Sequence, residues 1–304
     1  MQDYKYTYTV ALTHYNNPLM LKRMLKSIPE RDDIQIVVAD DYSTEENKKI
    51  LRTLSHKNLQ IIYIPENHGG GYARNVALDH TEGKWIIGAD CDDFFSSGAF
   101  DVLDQYKDSD YDYITYKAVA VDAESLKPSG YVLGSVSSID AYLKDPIKNR
   151  TRFRFVTDTW VKMTSMRFMK EYGIRWEDCR INIDRMYSYQ LGIYAKKIKV
   201  IPDVLYNWVE NDGSITRKKR DIVREFQFYL AVQKRNGFFE ALGLKRPPYY
   251  RYDFLYVPFL LKKRGLKDTI DFFIYRRKHI AEVYEARKKF LPLLENVDIK
   301  SLNL

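Results

Sequence analysis

The chain predicts an α/β fold: a mainly parallel central sheet flanked by helices, with a helical extension at its C-terminal end. Three observations carry this. Four β-rich apolar runs alternate with amphipathic stretches before residue 90, the pattern of consecutive β-α-β units. Three of those runs end in polar or acidic clusters, and in such sheets ligands sit at the carboxyl ends of strands. From Asp221 onward the β signal stops and apolar residues recur at helical spacing.

Taken in order, Tyr6–Thr13 (YTYTVALT) is rich in β-formers and reads as the first strand. Pro18 opens a helix, where its missing N–H costs nothing. Leu19, Leu21, Met24, Leu25 and Ile28 form that helix's apolar face. Ile34–Ala39 is a second buried strand running into Asp40-Asp41. Ser43-Thr44-Glu45-Glu46 starts the next helix with early acids, which its dipole favours, and Ile50, Leu51 and Leu54 follow on one face. Leu59–Ile64 is strand three. Asn67–Gly71 (NHGGG) is a glycine loop leading into a helix over Tyr72–Leu78, and Trp85–Ala89 is strand four. Further on, Tyr113–Val121 alternates like a strand with one wet face. Residues 122–150 read as a polar connection with a short helix near Ile139–Leu143. Short helices follow at Met166–Tyr172 and Asn182–Gly192, with a short strand at Lys199–Pro202. The later helices are expected to break near Pro247-Pro248 and Pro258. Two domains result, residues 1–217 and a basic helical extension over 218–304.

Composition narrows the class. At 304 residues, 45% hydrophobic and 30% charged, the chain is globular rather than disordered. No apolar run reaches the length of a membrane span and no signal-peptide pattern opens the chain, so a cytoplasmic protein is expected. Cys91 and Cys179 suggest neither a disulfide framework nor a zinc site, and the five histidines are scattered. The net charge of +8 is unevenly placed: residues 217–304 hold 21 Lys+Arg against 10 Asp+Glu, and residues 1–216 hold 28 against 31. A basic tail suits an anionic partner or a solvated helical surface. No nucleic-acid-binding module is present, so nucleic acid is not the expected partner. Tyr249–Leu261 is aromatic and apolar and precedes Lys262-Lys263-Arg264. Leu266, Ile270, Phe273, Ile274, Ile280 and Tyr284 fall near helical spacing among Arg276, Arg277, Lys278 and Lys288. Two uses fit these segments: peripheral contact with the inner face of an anionic membrane, or a homo-oligomer interface.

The most informative segment is Trp85–Phe95, where an apolar run emerges into Asp90, Cys91, Asp92 and Asp93. One residue separates Asp90 from Asp92, so an extended backbone points both the same way. Hard oxygen ligands on a stiff support suit Mg2+ or Mn2+ held jointly with a phosphate substrate. Alone, a D-x-D pair is a weak signal, since acidic turns are common.

Its neighbours strengthen it. Ala11-Leu12-Thr13-His14-Tyr15-Asn16-Asn17 resembles a P-T-Y-N strand end, Asp40-Asp41-Tyr42-Ser43-Thr44 a D-D-G-S-T turn, and Glu66–Asn75 an N-x-G-x-x-x-A-R-N segment. Ala89–Asp93 resembles a D-x-D-D motif, Thr159–Lys162 a W-x-K segment, and residues 207–217 a Y-x-x-x-N-x-x-S-x-T-R stretch. Together, over roughly residues 5–217, the chain resembles the family 2 inverting glycosyltransferases of the nucleotide-sugar-binding GT-A fold, among them those of bacterial surface polysaccharides. That resemblance implies transfer of a sugar from a UDP-sugar to a hydroxyl of a glycan or lipid-linked glycan, with Mn2+ or Mg2+. It implies donor binding by Thr13, Tyr15, Asn16, Asp40, Asp41, Gly71, Arg74, Asp90 and Cys91, metal binding by Asp92, and an acceptor region at Trp160, Glu177 and Asp178.

The residue chemistry is compatible. Tyr15 offers a ring for the base to stack on. Asp40 or Asp41 can accept from uracil or ribose, and Arg74 with the ion can neutralise a diphosphate. Gly69–Gly71 permits close backbone approach to a ligand. It matches neither a P-loop nor G-x-G-x-x-G.

Inverting transfer needs a carboxylate that removes the acceptor's hydroxyl proton. Gly173–Asp178 (GIRWED) resembles the family's G-I-x-F-D-E strand, and Asn182-Ile183-Asp184 its G-E-D helix start, so Asp184 is the favoured base. Glu177 and Asp178 compete, and the bland role for Asp184 is an N-cap. Ile183, Tyr42 and His14 stand where the family carries Glu, Gly and Thr. Two rival readings stand beside it: a sugar-phosphate nucleotidyltransferase, whose G-x-G-x-R loop is missing from Thr13–Asn17, and a non-catalytic scaffold of the same fold that binds membrane or a partner through its tail.

Overall fold

The computed structural model describes residues 3–210, 221–244 and 253–302. They fall into two compact units, the larger within Met1–Asp212 and the smaller within Gly213–Leu304. The boundary expected after residue 217 lies outside the described residues.

The first unit is built on an eight-stranded sheet in the order β3-β2-β1-β4-β7-β6-β8-β5. Strands β1 (Tyr6–His14), β2 (Ile34–Asp40), β3 (Leu59–Tyr63) and β4 (Gly83–Asp90) pair in parallel. Helices α1 (Pro18–Ser27), α2 (Glu45–Leu51) and α3 (Gly70–Asp79) connect them. This half follows the sequence closely. Beyond β4 the sheet is mixed. The short β5 (Phe94–Phe95), β6 (Tyr113–Asp122), β7 (Lys162–Ser165) and β8 (Ile198–Glu210) join through three antiparallel pairings, β4–β7, β6–β7 and β5–β8, and one parallel pairing, β6–β8.

Strand alternation sorts side chains to the two faces. Tyr8, Val10, Leu12, Ile34, Ile36, Val38, Trp85 and Ile87 pack with Leu21, Met24 and Leu25 of α1. Ala11, Val37, Ala39 and Ile86 pack with Ala73 and Ala77 of α3. Leu19 is the exception on α1: it was expected on the apolar face and is 72% exposed. The register sets the site, because Thr13 stands beside both Ala39 and Asp90, and His14 beside Asp40. The carboxyl ends of β1, β2 and β4 therefore form one rim.

Residues 122–150 hold more structure than expected. Besides α4 (Ala99–Asp104), the chain forms α5 (Gly134–Lys144) and α6 (Pro146–Arg154). The start of α6 carries a plain signal, since Asp145 accepts the N–H of Lys148 at 3.1 Å and Pro146 takes the first helical position. After α7 (Met166–Glu171) and α8 (Asp184–Tyr194), β8 runs 13 residues rather than the short stretch expected at Lys199–Pro202. Pro202 is tolerated because the register slips there: Val200 pairs with Thr115 and Val204 with Lys117, a bulge needing no donor from the proline.

The second unit holds α9 (Ile222–Ala241), α10 (Asp253–Arg264), α11 (Leu266–Lys278) and α12 (Ile280–Lys288). Phe226, Tyr229, Tyr256, Leu260, Phe272 and Val283 form its core. Inside it, Glu225 accepts from Tyr256 at 2.6 Å and from Arg264 at 2.7 Å, so the buried carboxylate is paired and hydrogen-bonded. Pro258 lies within α10 instead of breaking it, because a proline removes only one helical donor and the remaining bonds and packing hold. Pro247-Pro248 lies outside the described residues.

Candidate active site

The rim begins at β1. Tyr15 is 55% exposed, with its ring open to solvent, and Thr13 is half-buried. His14 is buried and places Nδ1 2.8 Å from Asp40 Oδ1. The Ser43 hydroxyl donates to the same oxygen at 2.5 Å, and the Ser43 N–H reaches Oδ2 at 3.2 Å. Burial opposes the charge on Asp40, but these bonds from His14 and Ser43 more than offset it and hold the carboxyl below its ordinary range. Asp41 is spent similarly. It accepts the N–H groups of His68 and Gly69, each at 2.8 Å, and the amide of Asn67 at 2.9 Å. Both carboxylates are therefore buried and bonded to the chain's own groups, holding the rim from beneath. Asn16 also works internally, accepting the Thr44 N–H at 2.8 Å. Tyr42 keeps the turn of the glycine it replaces, at φ 67°, a left-handed geometry costing a side chain about 1–2 kcal/mol.

The glycine loop packs closely on the chain itself. A Cβ on Gly71 would lie 1.9 Å from the Glu177 carbonyl oxygen, and one on Gly69 2.6 Å from Arg180 Cγ. Gly71 N–H donates to the Cys179 carbonyl at 3.2 Å, and Arg180 grips Asn67. These glycines permit a close approach of residues 177–180.

Three charged residues from three elements converge at the strand ends. Arg74, on the buried side of α3, is 3% exposed. It sets Nη2 2.5 Å from Asp90 Oδ1 and Nε 3.5 Å from Asp184 Oδ1. Its guanidinium lies 5.9 Å from the Trp176 ring centroid, and Trp176 stacks on Tyr187 at 4.2 Å. Burial disfavours the cation, yet Asp90 and Asp184 outweigh it and the arginine pKa is raised. Arg74, expected at the diphosphate, bridges two acids in this structure.

Asp184 is the first residue of α8, with Ile183 at the cap position, so the N-cap role does not apply. Thr159 donates to its Oδ1 at 3.2 Å. Burial, with Asp90 and Asp158 adding to it and Arg74 and Lys162 opposing, lifts the Asp184 carboxyl to about 6. The side chain keeps 28% exposure, so it is reachable. Among the three candidate bases, Asp184 is the one joined to Arg74. Glu177 is buried and Asp178 faces solvent.

The acid motif divides. Strand β4 ends at Asp90 and the backbone then turns, with the Asp93 N–H donating to the Asp90 carbonyl at 3.2 Å, so Asp90 and Asp92 do not share one extended run. Arg23 holds the Asp92 carbonyl. Asp93 turns inward, 1% exposed, and accepts the Val209 N–H at 2.8 Å. Burial and the charges of Asp92 and Asp90 hold its carboxyl well above the ordinary range. Burial and the same acids raise the Cys91 thiol, which stays uncharged. Among the described residues no three His, Cys, Asp or Glu side chains converge as a protein-only metal cage. Asp92 beside a half-neutralised Asp90 fits an ion that keeps most of its shell for phosphate and water.

Trp160, expected in the acceptor region, is 5% exposed and stacks on Tyr206 at 5.3 Å. Residues missed in the sequence are Tyr206, whose hydroxyl accepts the Asp90 N–H at 3.0 Å, and the positioning group Thr159. Lys162 is also part of this cluster. Its buried ammonium donates to the Val156 and Asp158 carbonyls at 2.9 and 2.6 Å, and burial lowers its pKa to about 8.

The α/β sheet with this cluster at its strand ends has the architecture of a GT-A glycosyltransferase. The family model described as glycosyl transferase family 2 matches residues 9–172, and the chain belongs to that family. It is 23% identical over 207 residues to the poly(ribitol-phosphate) beta-N-acetylglucosaminyltransferase TarS of Staphylococcus aureus, covering 66% of this chain and 35% of that protein. It is 29% identical over 111 residues to the GalNAc(5)-diNAcBac-PP-undecaprenol beta-1,3-glucosyltransferase of Campylobacter jejuni, covering 35% and 36%. The chain thus spans about a third of the length of each. The crystal structure of S. aureus TarS 1–349 in complex with UDP-GlcNAc superimposes with a TM-score of 0.65 at 18% identity, covering 97% of this chain and 89% of that one.

Proposed function

We propose that this glycosyltransferase moves a sugar from a UDP-sugar to a hydroxyl of a glycan or lipid-linked glycan, with inversion. The observation that carries the reading is Asp184: a reachable carboxyl with a pKa near 6, anchored by Arg74 and Thr159 beside the strand-end acids. A base poised near the working pH is what proton removal at the attacking oxygen requires.

In the proposed step the acceptor oxygen attacks the anomeric carbon from the face opposite the diphosphate. Its proton passes to Asp184, and the bond from the anomeric carbon to the diphosphate oxygen breaks with its electron pair. Tyr15, exposed at the rim, would offer its ring for the base to stack on. Asp92, with Asp90, would hold Mg2+ or Mn2+, which supplies positive charge for the departing diphosphate. UDP as the nucleotide is supported by the family motifs and by the relative crystallised with UDP-GlcNAc. Since UDP-sugars are cytoplasmic substrates, the reading places the reaction there, at the inner membrane face when the acceptor is lipid-linked.

Calorimetric titration of UDP, GDP and CDP with and without Mn2+, on wild type and Asp92→Ala, tests the donor site. UDP-selective, metal-dependent binding lost in the variant supports it. Equal binding by the variant removes Asp92 from the metal site, and no binding of any nucleotide removes the donor reading. Among the described residues no helix is long and apolar enough to cross a membrane. We propose that the second unit instead meets anionic lipid through an apolar groove between α10 and α11, lined by Val257, Leu261, Leu266, Ile270 and Ile274.

A further inference from the structure

Beyond the acid cluster, β8 presents an aromatic pair that no step above uses. The half-buried Trp208 ring lies 5.8 Å from that of Tyr131, tilted by 34°, and Tyr131 is 55% exposed. Alternate strand residues share a face, so Trp208 projects on the same side as Tyr206. Tyr206 reaches the Asp90 N–H, and the next residue after Trp208, Val209, binds Asp93. Two strand residues span about 7 Å, so Trp208 stands roughly one sugar ring further along the strand than a group that touches Asp90.

The backbone that carries both rings is braced. Trp208 registers with Ala120 on β6, and the loop carrying Tyr131 returns to the same place. Val121 bridges Pro128, the Ser129 N–H donates to the Ala120 carbonyl at 2.9 Å, and the Tyr131 N–H donates to Ser129 Oγ at 3.3 Å. Rings on a fixed backbone lose less freedom when a ligand settles on them. The pair offers two flat apolar faces with polar tips. A pyranose is the complementary shape, with C–H groups on its flat faces and hydroxyls around its edge.

We propose that Tyr131 and Trp208 form a platform for a pyranose ring of the acceptor, one ring removed from the reacting hydroxyl. This deepens the transferase reading above and rests on the acceptor being a glycan. The test is saturation-transfer NMR on the full chain with methyl β-glucopyranoside, methyl β-N-acetylglucosaminide and cellotetraose, beside calorimetry with UDP. The expected result is transfer to the ring C–H protons, lost in Trp208→Ala, weakened at least fivefold in Tyr131→Ala and retained in Trp208→Phe. UDP affinity should be unchanged in all three. Because Trp85, Trp160 and Trp176 are 1%, 5% and 2% exposed, quenching of tryptophan fluorescence by the same glycosides reports on Trp208. Wild-type levels of transfer in both alanine variants, or no transfer from the wild-type protein to any glycoside, would overturn the platform. Loss of UDP binding in the wild type would sink the donor reading instead, and the glycoside signal would still decide the platform.

Discussion

Arg74 Nε lies 3.5 Å from Asp184 Oδ1, while the same guanidinium holds Asp90 at 2.5 Å. One buried cation thus connects the acid at the end of β4 to the acid at the start of α8. Its charge lowers the Asp184 carboxyl against the combined effect of burial, Asp90 and Asp158. Without that cation two nearby carboxylates would repel, and neither would be a useful base near neutrality. The bridge therefore tunes one acid while fixing the other.

The first prediction concerns rate against pH. A base must be ionised, so kcat/KM should rise tenfold per pH unit below about 6 and level off above it. Arg74→Gln removes the lowering charge and should move this limb to higher pH. Asp184→Asn should abolish turnover while leaving UDP affinity within about twofold. A limb that stays in place in Arg74→Gln, or substantial turnover in Asp184→Asn, would assign the base elsewhere.

The same shift has a consequence for stability. The Asp184 carboxyl titrates near 6 in the folded chain, above its ordinary value of 3.8. Between those values the unfolded chain releases the proton first, so ionisation favours unfolding as pH rises. The cost is absent below about 4 and complete above about 6. Asp184→Asn should therefore be more stable than wild type at pH 7.5, by on the order of 2 kcal/mol from a shift of about two units at 1.4 kcal/mol each, discounted for partial exposure. Chemical denaturation at pH 7.5 and pH 4 measures this. An inactive variant that is also less stable at pH 7.5 would contradict it.

Gly71 carries the third prediction. With a Cβ 1.9 Å from a backbone oxygen, Gly71→Ala must displace residues 177–180 from the start of α3. Such overpacking costs about 1–3 kcal/mol. Displacing 177–180 should also disturb Asp184, only a few residues on. Gly130→Ala is the control, for its site has open space, although its φ of +80° strains any side chain. Thermal denaturation and turnover should show Gly71→Ala losing both; unchanged activity would mean that this segment does not support the base.

The parallel half of the sheet was legible because each strand there is a buried run closed by a polar stop. The mixed half was not, because β7 is four residues long and β8 contains a proline that only its bulge explains. Arg74, Asp90 and Asp184 were legible as residues. Their joining was not, since 110 positions separate Arg74 from Asp184 and only packing brings them together. Trp160 and Asp40 each match a motif, but their burial gave no sequence signal, because the same side chains that shape such a rim also fill the space beneath it. Tyr206 gave no sequence signal: a tyrosine late in a strand is ordinary until its hydroxyl is seen beneath Asp90.

The last prediction concerns the basic unit. Leu266, Ile270 and Ile274 are spaced four residues apart on α11 and are 67%, 50% and 51% exposed, so they share one face left open. They line a groove of about 410 Å³ whose other wall is Val257 and Leu261 on α10. The exposed Lys262 and Lys263 near the end of α10, and Arg277 and Lys278 at the end of α11, bracket this apolar surface with positive charge. That combination suits the interface of an anionic bilayer, where each basic residue near the surface contributes about 1 kcal/mol. The chain should sediment with phosphatidylglycerol-containing vesicles, not with phosphatidylcholine alone. Binding should weaken as salt screens the charge and be lost in Ile270→Glu with the fold intact. Equal binding to both vesicle types would make the contact purely hydrophobic. No binding, together with a dimer that Ile270→Glu dissociates, would identify the groove as an interface between copies of the chain.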